Sequence, residues 1–133
     1  MINWSRHTNT SLAVHQLHLQ GVIAYPTEAV WGLGCDPFSF SAVKKILHLK
    51  NRPEHKGVIL IACDWQQFAL FTEGLTGGQL GRLQQPNSKP TTWLIPHNGV
   101  APDWIVGGHD TLAVRVTTHP VAACLCRLFG SIY

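Results

Sequence analysis

Charge is sparse in this 133-residue chain. Only 13% of its residues are Asp, Glu, Lys or Arg, whereas 45% are apolar. That balance excludes a disordered polyelectrolyte, because enough apolar surface exists to bury a real, if modest, core. Acidic residues are the scarcer sign, seven against ten Lys and Arg, which leaves a formal charge of +3. The excess suits an anionic ligand such as a nucleotide or RNA, although many proteins with neutral ligands are as basic. No apolar run approaches bilayer-spanning length, and no basic stretch followed by an apolar core opens the chain. The expectation is a cytoplasmic protein with no membrane partner. Cysteine is equally thin. Cys35, Cys63, Cys124 and Cys126 form neither CxxC pairs nor a zinc ribbon and lie in apolar contexts, so buried thiols in a reducing compartment are expected. His15 and His18 stand one helical turn apart without a third ligand in view, so no metal site is expected.

The familiar catalytic signatures are missing too. There is no Walker-type phosphate loop. Gly32 and Gly34 begin a GxG, but no third glycine completes a dinucleotide fingerprint. GxSxG and HExxH are absent, which removes the support for a serine hydrolase or a zincin. Repeats, low-complexity tracts and internal linkers are absent as well, so residues 1–133 read as one domain.

What is present is organised around Gly21–Pro37. The apolar run Val22 to Tyr25 meets Pro26, then Thr27 and Glu28, then a small-residue turn at Gly32-Leu33-Gly34. A short apolar run that stops at proline and hands over to polar residues reads as a buried strand ending at a site. In open α/β sheets, ligands lie beyond the carboxyl ends of strands, which is where Thr27 and Glu28 fall. The alternative is a plain strand-to-helix turn with Thr27 as N-cap.

The remaining elements follow from periodicity and caps. A helix from Ser11 ends before Gly21. A second helix carries Val43, Ile46 and Leu47 on one face behind Ser41 as N-cap, and Pro53 disfavours its continuation. Val58 to Cys63 is an uninterrupted apolar strand, as expected when both faces are covered. Asp64 and Gln67 open a short helix through Phe71, in a pattern close to a capping box. Thr72 to Gln85 reads as a Gly-rich loop with a weak helix, Thr91 to Ile95 as a strand, and His97 to Asp110 as a loop with Asn98-Gly99 and Gly107-Gly108 turns. Leu112 to Val116 is a strand, His119 to Phe129 a helix closed by Gly130, and Ser131 to Tyr133 the start of another strand. Strands and helices run through the whole chain without regular βαβ alternation. The expected class is α/β with α+β character, a twisted mixed open sheet flanked by helices.

Two groups of cations stand out. Lys50 and Arg52 lie two apart ahead of Pro53, so in an extended segment they project to one side and grip adjacent phosphates. The alternative is a solvated helix C-terminus, where cations are favoured in any case. Arg115 interrupts an apolar strand, so it is paired, meets an anionic ligand, or faces solvent from an edge strand.

Together these segments resemble the YrdC-like family, the threonylcarbamoyl-adenylate synthases. The matching stretches are Ala24 to Asp36, Leu49 to Pro53 with Lys56-Gly57, Lys89 to Thr92, and Leu112 to Val116 with His119-Pro120. The match is collinear over roughly Gly21 to Gly130 and is most similar to short bacterial members. The resemblance implies an α/β fold around a large basic cavity. It implies an activity that joins L-threonine, bicarbonate and ATP into threonylcarbamoyl-AMP and pyrophosphate, feeding a modification at adenosine 37 of tRNA. It implies ATP as substrate, Mg²⁺ on its phosphates, tRNA or double-stranded RNA as a partner, and downstream tRNA-threonylcarbamoyl transferase proteins as recipients. By the same resemblance, Lys50 and Arg52 are the catalytic pair on the ATP phosphates and Thr92 lines the nucleotide. Tyr25, Thr27 and Arg115 frame threonine, and Asp36 or Glu28 is available to its amine.

Two departures from the family pattern matter. Lys89 stands where the family has a glycine, which removes backbone freedom from the nucleotide loop. The family's following Ser-Thr-Ser-Ala-Asn strand lies beyond Tyr133, so the fold is expected to be incomplete at the C-terminus. An exposed sheet edge then favours self-association. The alternative function is a nucleotide- or double-stranded-RNA-binding remnant without turnover.

Overall fold

The computed structural model describes residues 3, 6–28, 31–83 and 91–130. The chain begins with helix α1 (Thr8–His18), capped by the His7 imidazole, which accepts from the Asn9 N–H at 3.2 Å. The helix therefore starts three residues before the expected Ser11. Strand β1 (Ile23–Tyr25) follows, with Ile23 and Tyr25 buried and Ala24 exposed. Gly32-Leu33-Gly34 is not a turn. It is strand β2 (Gly32–Gly34), antiparallel to β1, with Ile23 opposite Gly34 and Tyr25 opposite Gly32. Glycine has poor strand propensity, so it is the pairing with β1, and not local preference, that places these residues in a strand.

Helix α2 (Phe40–Leu49) buries Ala42, Val43, Ile46 and Leu47, as the periodicity predicts. Its N-cap is Ser39, two residues before the expected Ser41, and the Ser39 hydroxyl accepts from the Ala42 N–H at 3.3 Å. Strand β3 (Ile59–Ala62) leads to Asp64, whose carboxylate accepts from the Gln67 N–H at 3.2 Å. That cap opens a 3₁₀ turn (Trp65–Phe68) and then α3 (Ala69–Thr72). Helix α4 (Gly77–Leu83) is the weak helix expected within the Gly-rich 72–85 stretch. Strand β4 (Trp93–Pro96) is followed by a loop that contains one helical turn, α5 (Asp103–Val106), not foreseen from its Gly-rich sequence. Strand β5 (Thr111–Val116) and helix α6 (Pro120–Phe129) complete the described fold. The expected strand at 131–133 and Lys89-Pro90 lie outside the described residues.

The second sheet has strand order β3-β5-β4. β3 and β5 are parallel, β4 and β5 antiparallel, so the sheet is mixed as expected. The hairpin β1-β2 forms a sheet of its own. One face of the larger sheet, with Leu60, Ala62, Leu112, Val114 and Ile95, packs on α2, α3, α4 and α5. On the other face, Ile59 and Ile61 of β3 are covered by α6, α1 and β1 through Leu125, Ala122, Leu17, Ile23 and Tyr25. Among the described residues, the rest of that face is open. It carries Thr92, just ahead of β4, with Leu94 of β4 and Thr111, Ala113 and Arg115 of β5, and Leu94 is 69% exposed.

Candidate active site on the open sheet face

Arg115 and Thr92 meet across the β4–β5 ladder. Trp93 opposes Val114, so one step outward Thr92 opposes Arg115. The guanidinium donates from Nε at 3.0 Å and from Nη2 at 2.7 Å, both to the Thr92 hydroxyl oxygen. Arg115 is half-buried, and its direction is fixed by a neutral acceptor. Its rigid fork has five N–H donors, and Thr92 takes two.

Glu28 approaches the same face. Its carboxylate accepts from the Thr117 hydroxyl and from the His119 N–H at 2.9 Å. Thr117 is 3% exposed and its N–H is bonded to the Ala62 carbonyl at 2.9 Å. His119 is the N-cap of α6, its imidazole accepting from Val121 N–H at 3.2 Å. Glu28 thus ties the segment after β1 to the ends of β3 and β5 and the start of α6. Burial pushes the Glu28 carboxyl upward, but the Thr117 hydroxyl, the His119 N–H and the field of Arg115 outweigh it, so its pKa lies below the ordinary value. Glu28 is ionised at neutral pH, and one of its oxygens is spent on the scaffold rather than on a ligand amine. Asp36 is engaged in the same way: its carboxylate accepts from Phe38 N–H at 3.0 Å in the turn that precedes α2.

Tyr25 and Thr27 flank Gly32. A Cβ on Gly32 would lie 3.6 Å from the Tyr25 hydroxyl and ring and 3.8 Å from the Thr27 methyl. Tyr25 is 3% exposed, so its ring belongs mainly to the core and only its hydroxyl end is near this small space. No helix starts at Thr27, because the chain returns as β2.

Lys50 and Arg52 do not lie in an extended segment. Lys50 is the helical C-cap of α2 and Asn51 is left-handed, at φ 51°. Arg52 N–H donates to Leu47 O at 2.9 Å and Asn51 N–H to His48 O at 3.1 Å, the paired bonds of a Schellman cap. The cations are placed by this reversal, not by strand alternation. The Arg52 guanidinium then folds back onto the next turn, from Nε to Gly57 O at 3.0 Å and from Nη2 to Lys56 O at 3.4 Å. It lines two open cavities, one of about 280 Å³ shared with Lys56, His109 and Thr111, the other of about 390 Å³ shared with Lys44, His48 and Asn51. The first is floored by Ile59, Leu94 and Ala113. Leu94 and Ala113 are one alternation, about 7 Å, from Thr92 and Arg115 on the same sheet face.

The structure therefore brings Thr92, Arg115 and Glu28 together and sets Tyr25 and Thr27 around Gly32. It places Arg52 over the neighbouring stretch of the open face. Sequence reasoning noted Lys56 without giving it a site role, and missed His109 and Thr117. Lys56 closes the densest cationic stretch of the chain, and Thr117 keeps the alternation of Arg115, so both were visible as patterns. His109 sits in a loop with no such signal. Among the described residues, no group of three His, Cys, Asp or Glu gathers as metal ligands do, and the His18 ring packs on Phe129 at 4.9 Å.

A family profile described as telomere recombination, covering Sua5, YciO and YrdC, matches residues 15–133. The chain belongs to the Sua5/YciO/YrdC family. Within it, the chain is 53% identical to a threonylcarbamoyl-AMP synthase of Cellvibrio japonicus, over 98% of this chain and 69% of that protein. It is 52% identical to the synthase of Halorhodospira halophila, over 89% of this chain and 62% of that protein. The chain thus spans about two thirds of the length of these curated relatives. Among solved structures, it is similar to Pyrococcus abyssi Sua5 complexed with L-threonine, at TM-score 0.86 and 28% identity, over 99% of this chain and 38% of that one. Escherichia coli YciO shares the fold at TM-score 0.74 and 22% identity, over 92% of this chain and 62% of that one.

Proposed function

We propose that this chain carries the amino-acid and phosphate walls of an L-threonylcarbamoyl-AMP synthase, a nucleotidyltransferase. The observation that carries this reading is Arg115, oriented by Thr92 on an open sheet face one alternation from the cavity lined by Arg52 and Lys56. The names of its relatives and the threonine complex of P. abyssi Sua5 point the same way. Arg115 receives the threonine carboxylate, with Tyr25 and Thr27 near the side chain. Lys50 and Arg52 receive the ATP phosphates, with Thr92 on the nucleotide side.

The chemistry needs no protein nucleophile. The threonine amine adds to bicarbonate with loss of water, giving N-carboxy-threonine. An oxygen of that carbamate attacks the α-phosphorus of ATP. A new P–O bond forms, the bond to the β-phosphate breaks, and pyrophosphate leaves with its electron pair. Reactants and transition state are anionic, so positioning and positive charge supply the catalysis. The lining is cationic and gives no oxygen cage for Mg²⁺, so a magnesium ion would be held by the phosphates and water rather than by these residues. The product would pass to a tRNA-threonylcarbamoyl transferase.

The test is pyrophosphate release that requires threonine and bicarbonate together. Turnover in the wild type, with large losses in Lys50→Ala and Arg115→Ala, is expected. A folded wild type that binds ATP but shows no turnover would instead identify a nucleotide-binding domain without catalysis.

A further inference from the structure

Arg52 can grip a phosphate only if the turn that holds it is itself held. Its two acceptors, Lys56 O and Gly57 O, belong to the turn at Glu54–Lys56, which projects from the end of α2. Within itself the turn has the bonds of Lys56 N–H to Pro53 O and Gly57 N–H to Glu54 O. It rests on the 97–110 loop. Val58 N–H donates to Ile105 O at 2.8 Å. Gly107, at φ +64°, brings backbone so close that a Cβ there would lie 2.6 Å from both Glu54 O and His55 O. One side chain of the loop completes this seat: the His109 imidazole Nε2 lies 2.8 Å from His55 O. A carbonyl only accepts, so Nε2 carries the proton and donates.

His109 is in turn anchored to the sheet. His97, at the end of β4 and 8% exposed, donates from Nε2 to His109 O at 2.7 Å, while its Nδ1 accepts from Gly99 N–H at 3.1 Å. The connections run from β4 through His97 to His109, from His109 to His55 O, and from the next two carbonyls to Arg52. We propose that His109 is a positioning residue for Arg52, donating to His55 O so that the turn presents the guanidinium to an anionic phosphate ligand in the cavity they share. This rests on the proposed ATP role of Arg52. It makes nucleotide affinity, and not threonine affinity, depend on a loop histidine that would touch no reacting atom.

The experiment compares variants that lose the donor, His109→Met and His109→Phe, with His109→Gln, which keeps an N–H at similar reach. The first pair should raise the KM for ATP about five- to tenfold, the factor for one lost hydrogen bond, with the KM for threonine unchanged and Gln restoring most of the loss. In parallel, hydrogen exchange at the Arg52 Nε–H is followed by NMR without nucleotide. It should accelerate in the Met and Phe variants and stay slow in Gln. This readout decides the proposal even if the wild type fails to turn over. Unchanged exchange in the Met and Phe variants, a Gln variant as impaired as Met, or equal losses in ATP and threonine affinity would overturn it.

Discussion

At the scale of single residues, the site is built from side chains whose partners are already assigned. Glu28 shows what that implies for pH. Its folded pKa lies below the ordinary 4.5, so the unfolded chain binds its proton more readily. The stability it contributes is therefore present above that ordinary value and lost as pH falls through the lower folded one. Glu28→Gln keeps an acceptor for Thr117 and His119 but removes the charge, and should flatten the fall of Tm between about pH 5 and pH 3. Thermal melts across that range check this. Thr92→Val keeps the shape of the residue but takes away the hydroxyl that accepts both bonds from the Arg115 guanidinium. It should reduce kcat/KM for threonine about tenfold and leave the global fold intact, measured by steady-state kinetics beside circular dichroism. The Cys35 thiol, fully buried beside Asp36, is pushed up to about 12 and should resist alkylation in the native state. Rapid labelling of Cys35 in folded protein would contradict its placement.

At the scale of elements, the end of α2 decides where the proposed phosphate wall, Lys50 and Arg52, stands. Asn51 holds the left-handed position of the Schellman cap, which asparagine tolerates and β-branched residues do not. Asn51→Val should cost about 1–2 kcal/mol in denaturant unfolding and weaken ATP binding, whereas Asn51→Gly should be near neutral for stability. This is also where sequence reading reached its limit. The long apolar strands and α2 were legible because buried residues repeat at a fixed period, and Asp64 was legible because its cap is local. β2 was not, since glycine carries no strand signal and its position depends on Tyr25 and Ile23 opposite. The choice between Ser39 and Ser41 as cap turns on which hydroxyl reaches Ala42 N–H, a matter of a few degrees of backbone. Lys50 and Arg52 were found by composition, and of the two placements open to them the helix C-terminus is the one observed rather than the extended segment; the left-handed turn at Asn51 was not legible, because proline at 53 says nothing about the handedness of residue 51. Arg115 was conspicuous as a charge in an apolar strand, yet only the register could name Thr92 as its partner.

At the scale of the whole molecule, the described residues cover one sheet face with α2–α5 and the other only along β3, which leaves the candidate site open. A ligand seated on that open face should stabilise the fold by mass action. ATP at about 100 times its Kd should add about 2.7 kcal/mol to the unfolding free energy, and Arg52→Ala should reduce that gain at the same concentration. Thermal shift titrations measure both. The parallel pairing of β3 with β5 also sets an order of assembly. α2 and the β1–β2 hairpin are closed by near neighbours in the chain. The bonds from Glu28 to Thr117 and His119 span 89 and 91 positions. Contacts of such long sequence separation carry the loop-closure entropy of everything between them and form slowly. A nascent chain emerging from the ribosome could form its cation-bearing helix early, but it could not join Glu28 to the β5 end until residues beyond 119 were free. Competence for binding would then arrive as one of the last events in folding.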